Sequence, residues 1–150
     1  MTATTDELDP LALENQVCFA LAVAARSVIA LYRPLLEPMG LTHPQYLVML
    51  ALWEREPRSV KDLSDALQLE PATLSPLLKR LEANGYIERR RNAADERALE
   101  VTLTHAGREL RAEAEKIPPR IFERLGLPVD DILNLRESLH TIIAAAVRER

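Results

Sequence analysis

Cys18 is the only cysteine in the chain, and a thiol is the side chain best suited to act as a soft nucleophile or to change oxidation state. A single cysteine excludes an intramolecular disulfide and a multi-cysteine zinc site. Its neighbours Val17 and Phe19 are apolar. From these residues alone two readings stand: an inert packing thiol and a reactive one. Tyr32 follows Cys18 by 14 positions, which on a helix returns it near the same face about 21 Å along the axis. The two cannot meet within one chain, but a second copy related by a two-fold axis can bring its Tyr32 to the first copy's Cys18. His43, His105 and His140 do not fall at metal-ligand spacings such as i, i+4, and the carboxylates form no calcium-loop pattern. Neither a metal nor a cofactor is expected.

A second chemistry is contact with a polyanion. The formal charge of −4 argues against it, but the charge is unevenly distributed. The segment Arg58 to Arg97 carries eight basic and seven acidic residues, whereas the remainder carries eleven and sixteen. Arg89, Arg90 and Arg91 form a triplet that serves no core and suits phosphates or a minor groove.

These residues are positioned by a mainly helical chain. Only 4% of residues are aromatic, four are glycine, and 47% are hydrophobic, enough for a core in 150 residues. Apolar residues recur at helical spacing from Leu13 to Leu36, including Val17, Leu21, Val28, Leu31 and Leu35. Thr42 can cap a second helix from about Pro44 to Arg55, and Ser59 a third through Leu67. Pro71 opens a fourth helix that ends at Asn84 and Gly85. The period then shifts to two: Leu99, Val101 and Leu103 alternate with polar residues, and pair with Tyr86 to Arg90 across Asn92 to Glu96 as a hairpin. Thr104 caps a fifth helix reaching Leu125, interrupted at Pro118 and Pro119, and a sixth runs from Val129 to Val147. The expected fold is therefore mainly α with a small β-hairpin and about six helices, organised as a winged helix-turn-helix.

The first and last helices each carry a long apolar stripe that a winged module of this size cannot cover, so a homodimer is expected. Residues 11–40 and 105–150 then form the dimerisation region and residues 41–104 the DNA-binding region of a single chain, 1–150. A two-fold dimer places two recognition helices in successive major grooves, which calls for duplex DNA with an inverted-repeat operator. The exposed side of the fourth helix offers Thr73, Ser75 and Pro76 near its start, with Lys79 and Arg80 a turn further on. The N-terminus lacks a basic leader, and the apolar run Val17 to Ala25 is too short to span a bilayer. A cytoplasmic protein with no membrane partner is expected.

The stretch Leu63 to Thr104, with LLKRLEANGYIERRRNAADERALEVTLT in its second part, resembles the MarR family of dimeric bacterial regulators. More narrowly, LENQVCF at Leu13 to Phe19, THPQYLVMLALWE at Thr42 to Glu54 and TLSPLLKRLE at Thr73 to Glu82 resemble its organic-hydroperoxide-sensing OhrR branch. The resemblance implies a repressor in which Cys18 reads peroxide and a cross-subunit tyrosine, matched by Tyr32, hydrogen-bonds the thiolate. It implies that Arg97 enters the minor groove while Asp95 holds the hairpin. Two positions depart from the pattern: His43 stands where a second thiolate-contacting tyrosine is usual, and Ala22 replaces a tyrosine one turn after the cysteine. His43 is then expected to substitute as donor, as an imidazolium.

The implied chemistry is attack by the Cys18 thiolate on an organic hydroperoxide to give a sulfenic acid. With no second cysteine, this leads to a mixed disulfide with a low-molecular-weight thiol or to further oxidation. A MarR-type repressor gated by a small aromatic ligand is the alternative. A thiol peroxidase lacks a resolving cysteine, so an enzyme is not expected.

Overall fold

The computed structural model describes residues 9–91 and 99–149. Two compact units partition the chain, Met1–Glu113 and Ala114–Arg150.

In the first unit a 3-10 turn at Leu13–Asn15 precedes α1, Val17–Leu36. The sequence reads as one helix from Leu13, but the backbone is extended at Gln16, and this residue becomes the N-cap of α1. The Gln16 side chain donates to the carbonyls of Pro10 and Ala12, fastening the preceding turn instead of extending the helix. Cys18 consequently occupies the first turn of α1.

Helix α2, His43–Glu54, begins with a capping box. Thr42 Oγ1 accepts from the Gln45 amide, and the Gln45 side chain accepts from the Thr42 amide. Such a cap contributes about 1 kcal/mol and fixes where His43 leaves the backbone. Ser59 caps α3, Val60–Leu67, and α4 follows at Pro71–Ala83. The turn between them passes through Gln68 in the left-handed region, φ 54°, and is closed by the Ser64 hydroxyl donating to the Leu69 carbonyl. Met49, Leu52, Leu63, Leu74, Leu78 and Leu81 are all buried, and together they form the core of these three helices.

Strands β2, Ile87–Arg91, and β3, Leu99–Leu103, pair antiparallel, with Ile87 opposite Leu103 and Arg91 opposite Leu99. A third strand absent from the sequence reading, β1 at Arg58–Ser59, joins the far edge of β3. Two residues are too short to show a period. Thr104 caps α5, His105–Ala114, by accepting from the Gly107 amide, and its own hydroxyl donates to the Gly85 carbonyl at 2.6 Å.

The second unit holds α6, Ile117–Leu125, and α7, Val129–Arg148. Ile117 and Ile121 are buried, whereas α7 buries no residue. The chain from His105 to Leu125 is thus two helices, divided just ahead of Pro118 and Pro119.

Apolar side chains stand exposed on both terminal helices. Val17, Phe19, Val23 and Ile29 do so on α1, and Leu133, Leu135, Ile142 and Ile143 on α7. The apolar run read from the sequence ends at Arg26, but the helix and its 3-10 extension continue beyond it. Val17–Met39, with 23 residues and a mean hydropathy of 1.5, is by length and composition alone long and apolar enough to cross a membrane, which corrects the shorter reading.

Candidate functional site: a thiol, an aromatic cluster and a basic helix face

Cys18 is exposed on α1. Tyr32 lies on the same helix, where it meets the start of α2. Its ring packs edge to face on His43 with centroids 5.0 Å apart, and Tyr46 closes the cluster at 5.9 Å from Tyr32 and 6.2 Å from His43. The fold brings Tyr32 and His43 together; along a straight helix Cys18 remains about 21 Å from Tyr32. Tyr46 is the member that the sequence reading missed. It sits within an apolar run, and the available signal was its position one turn after His43.

Burial raises the pKa of Tyr32 and of Tyr46, the latter raised further by Tyr32, and lowers that of His43. All three are therefore neutral at neutral pH in the protomer. For His43 this corrects the expected imidazolium, because a half-buried ring between two phenols loses the hydration that a cation needs. A neutral imidazole still offers one N–H. Among the described residues neither the Tyr32 hydroxyl nor the His43 ring makes a hydrogen bond, so both donors can serve an external acceptor.

The basic surface is built on α4. Leu74, Leu78 and Leu81 point into the core, which leaves Thr73, Ser75, Pro76, Lys79 and Arg80 exposed along the opposite side. Among the described residues neither Lys79 nor Arg80 is in an ion pair. The wing arginines differ from one another. Arg89 is held by Glu82, with its backbone amide, Nε and a terminal nitrogen all donating to that carboxylate. Arg89 in turn holds the Glu82 carboxyl below its usual range. Arg89 thus fastens the wing to the end of α4 and does not stand free for a phosphate. Arg90 pairs with Glu88 at 2.8 Å in the open, and Arg91 is exposed. Asp95 and Arg97 lie outside the described residues. Arg58, counted above in the basic segment, is buried and consumed by the Arg55 carbonyl, Asp62 and Glu54.

Two contacts connect the end of α2 and the turn after it to the base of the wing and the start of α5. Trp53 Nε1 donates to the Gly107 carbonyl at 2.9 Å, and Glu56 accepts from the Leu103 amide and from Arg108.

Comparisons with known proteins agree with this architecture. A family profile described as transcriptional regulator SarA/Rot matches residues 30–114. The organic hydroperoxide resistance transcriptional regulator of Bacillus subtilis is 38% identical over 138 residues, covering 92% of this chain and 94% of that protein. A structure of reduced AbfR bound to DNA aligns with a TM-score of 0.71 at 34% identity, over 90% of this chain and 94% of that one. Overoxidized AbfR bound to DNA aligns at 0.70 and 33%, over 89% and 94%. These relatives are regulators rather than enzymes. The capped helix pair, the wing and the single thiol place the chain with them: it belongs to the MarR/SarA type of winged-helix transcriptional regulators, in the OhrR-like, one-cysteine branch.

Proposed function

We propose that this regulator is a homodimeric repressor that senses organic hydroperoxides through Cys18 and leaves its operator on oxidation. The observation that carries the reading is the Tyr32–His43 pair at 5.0 Å, two neutral donors at the junction of α2 with a helix, α1, whose other end presents an exposed thiol. The apolar faces of α1 and α7 supply the interface, so that residues 11–40 and 105–150 dimerise and residues 41–104 bind DNA. A two-fold arrangement brings the partner's Cys18 to Tyr32 and His43. Donation from both stabilises the thiolate over the thiol.

The thiolate attacks the terminal oxygen of the hydroperoxide and the O–O bond breaks. Sulfur is oxidised by two electrons to the sulfenic acid, and the departing alkoxide takes a proton from the Tyr32 hydroxyl, which solvent then reprotonates, to leave as an alcohol. A low-molecular-weight thiol then condenses with the sulfenic acid, forming the S–S bond and releasing water. Overoxidized AbfR is itself recorded on DNA, which favours the bulkier mixed disulfide as the releasing species in this chain.

On DNA, α4 lies in the major groove with Thr73, Ser75, Pro76, Lys79 and Arg80 toward it. Arg90 and Arg91 approach the backbone, and Arg97 is the residue that the family resemblance assigns to the minor groove. A protein acting on the chromosome in this way works in the cytoplasm. Gel-shift titration on an inverted-repeat library with and without cumene hydroperoxide tests the reading. Wild type should bind one class of inverted repeat and release it on oxidation, whereas Cys18→Ser should bind and not release. Equal release by both proteins would remove Cys18 oxidation as the trigger and leave the ligand-gated alternative.

A further inference from the structure

Tyr86, the residue that leads from α4 into the wing, is tied to two distant segments of the chain. Its hydroxyl donates to the Met39 carbonyl at 2.9 Å, across 47 positions of sequence. Beside it Asn84 Nδ2 reaches the Gly40 carbonyl at 3.5 Å. Met39 ends the 3-10 turn Glu37–Met39 that joins α1 to α2, and it is buried, so the acceptor is held in place. The main chain of Tyr86 makes the second tie. Its amide donates to the Leu81 carbonyl in the last turn of α4, and its carbonyl accepts from the amide of Thr104, the cap of α5. Gly107 of α5 lies against the same carbonyl, with no room for a Cβ between them.

We infer that Tyr86 is a positioning residue for operator recognition: through Met39 and Thr104 it fixes α4 against the two segments that lead into the dimerisation region, and so sets which spacing between half-sites the protein accepts. The inference rests on the two-fold dimer proposed above and adds to it a residue whose hydroxyl is committed to the protein rather than to DNA. Helix α4 shares a core with α2 and α3, so these three helices form one body. What remains to be fixed is the angle of that body to α1, and the turn at Met39 is where the chain sets it. Each added base pair moves a half-site by about 3.4 Å along the duplex and rotates it by about a tenth of a turn. A braced connection cannot follow both changes, and operators of the wrong spacing are rejected. Without the hydroxyl the body can pivot toward a displaced half-site at lower cost.

The test measures affinity by fluorescence anisotropy on inverted repeats that share their half-sites and differ in spacer, from two base pairs shorter to two longer than the best. Wild type should prefer one spacer. In Tyr86→Phe, which keeps the ring and loses the hydroxyl, the ratio of the best spacer to its neighbours should shrink by about fivefold, the effect of one neutral hydrogen bond. Placing 4-aminophenylalanine at position 86, which donates again, should restore the ratio. Asn84→Ala, at an exposed position, should narrow it in the same sense and by less, since that contact is long. Discrimination against a base change inside a half-site should stay at its wild-type value in Tyr86→Phe, because the exposed side of α4 is unaltered. A merely destabilised protein would instead lose affinity for every operator alike. An unchanged spacer ratio in Tyr86→Phe, or loss of base and spacer discrimination together, would overturn the inference. Sedimentation of the wild-type complex separates this from the dimer itself. One protomer on one half-site would remove the dimer, and with it any spacing to be set, whereas a bound dimer indifferent to the spacer would contradict the inference alone.

Discussion

Tyr32 and His43 meet edge to face, centroids 5.0 Å apart, although eleven positions and the end of a helix separate them in the chain. The contact joins the helix that carries the thiol to the helix that leads, through Trp53 and Glu56, to the base of the wing. These hydrogen bonds tie the end of α2 to the base of the wing and the start of α5.

His43→Ala should slow the reaction of Cys18 with an alkylating reagent near neutral pH by several-fold and move the pH profile of that reaction upward, because one thiolate donor is gone. His43→Gln, which keeps a donor, should restore part of the rate. A profile identical to wild type in His43→Ala would remove His43 from the thiol's surroundings.

His43 also gives stability a pH dependence of definite sign. Its folded pKa is lowered by burial, so the unfolded chain binds the extra proton more readily. The neutral ring costs nothing above the ordinary histidine value, and stability falls as pH drops below about 6.5 and through the lowered folded value. Melting curves between about pH 5 and pH 7 should show this loss in wild type and a flatter dependence in His43→Gln.

The wing arginines should separate in a salt titration of DNA binding. Arg91→Ala and Lys79→Ala should each weaken binding and reduce the slope of log affinity against log salt by about 0.9, the contribution of one phosphate contact. Arg97→Ala should do the same. Arg89→Ala should change the slope little and lower stability slightly, since the Glu82–Arg89 pair is partly open to solvent and screened.

Gly107 tolerates no side chain. An added Cβ would stand 2.1 Å from the Tyr86 carbonyl oxygen, a backbone atom that cannot swing aside. Gly107→Ala should cost about 2–3 kcal/mol by chemical denaturation, by forcing α5 away from the base of the wing.

Much of this arrangement was legible in the sequence wherever a local signal had a local cause. Thr42, Ser59 and Thr104 announced three helix starts because a hydroxyl at an N-cap has a single job. Leu99, Val101 and Leu103 announced the wing by their alternation. What stayed hidden depends on contacts distant in the chain or on the competition for them. Arg58 and Arg89 read as surface cations, yet acidic partners claim both. Tyr46 drew no reading of its own from the sequence; it is buried, and its ring closes the Tyr32–His43 cluster. The charge state of His43 follows from burial between α1 and α2, which no spacing reveals.

The central claim is that oxidation of Cys18 itself releases DNA. Operator-bound protein titrated with cumene hydroperoxide in the presence of a small thiol can be followed at once by fluorescence anisotropy of the DNA and by mass spectrometry of the intact chain. The account predicts that the released fraction rises in step with the fraction of chains carrying a modified Cys18. Release that runs ahead of Cys18 modification, or full modification with the DNA still bound, would contradict it.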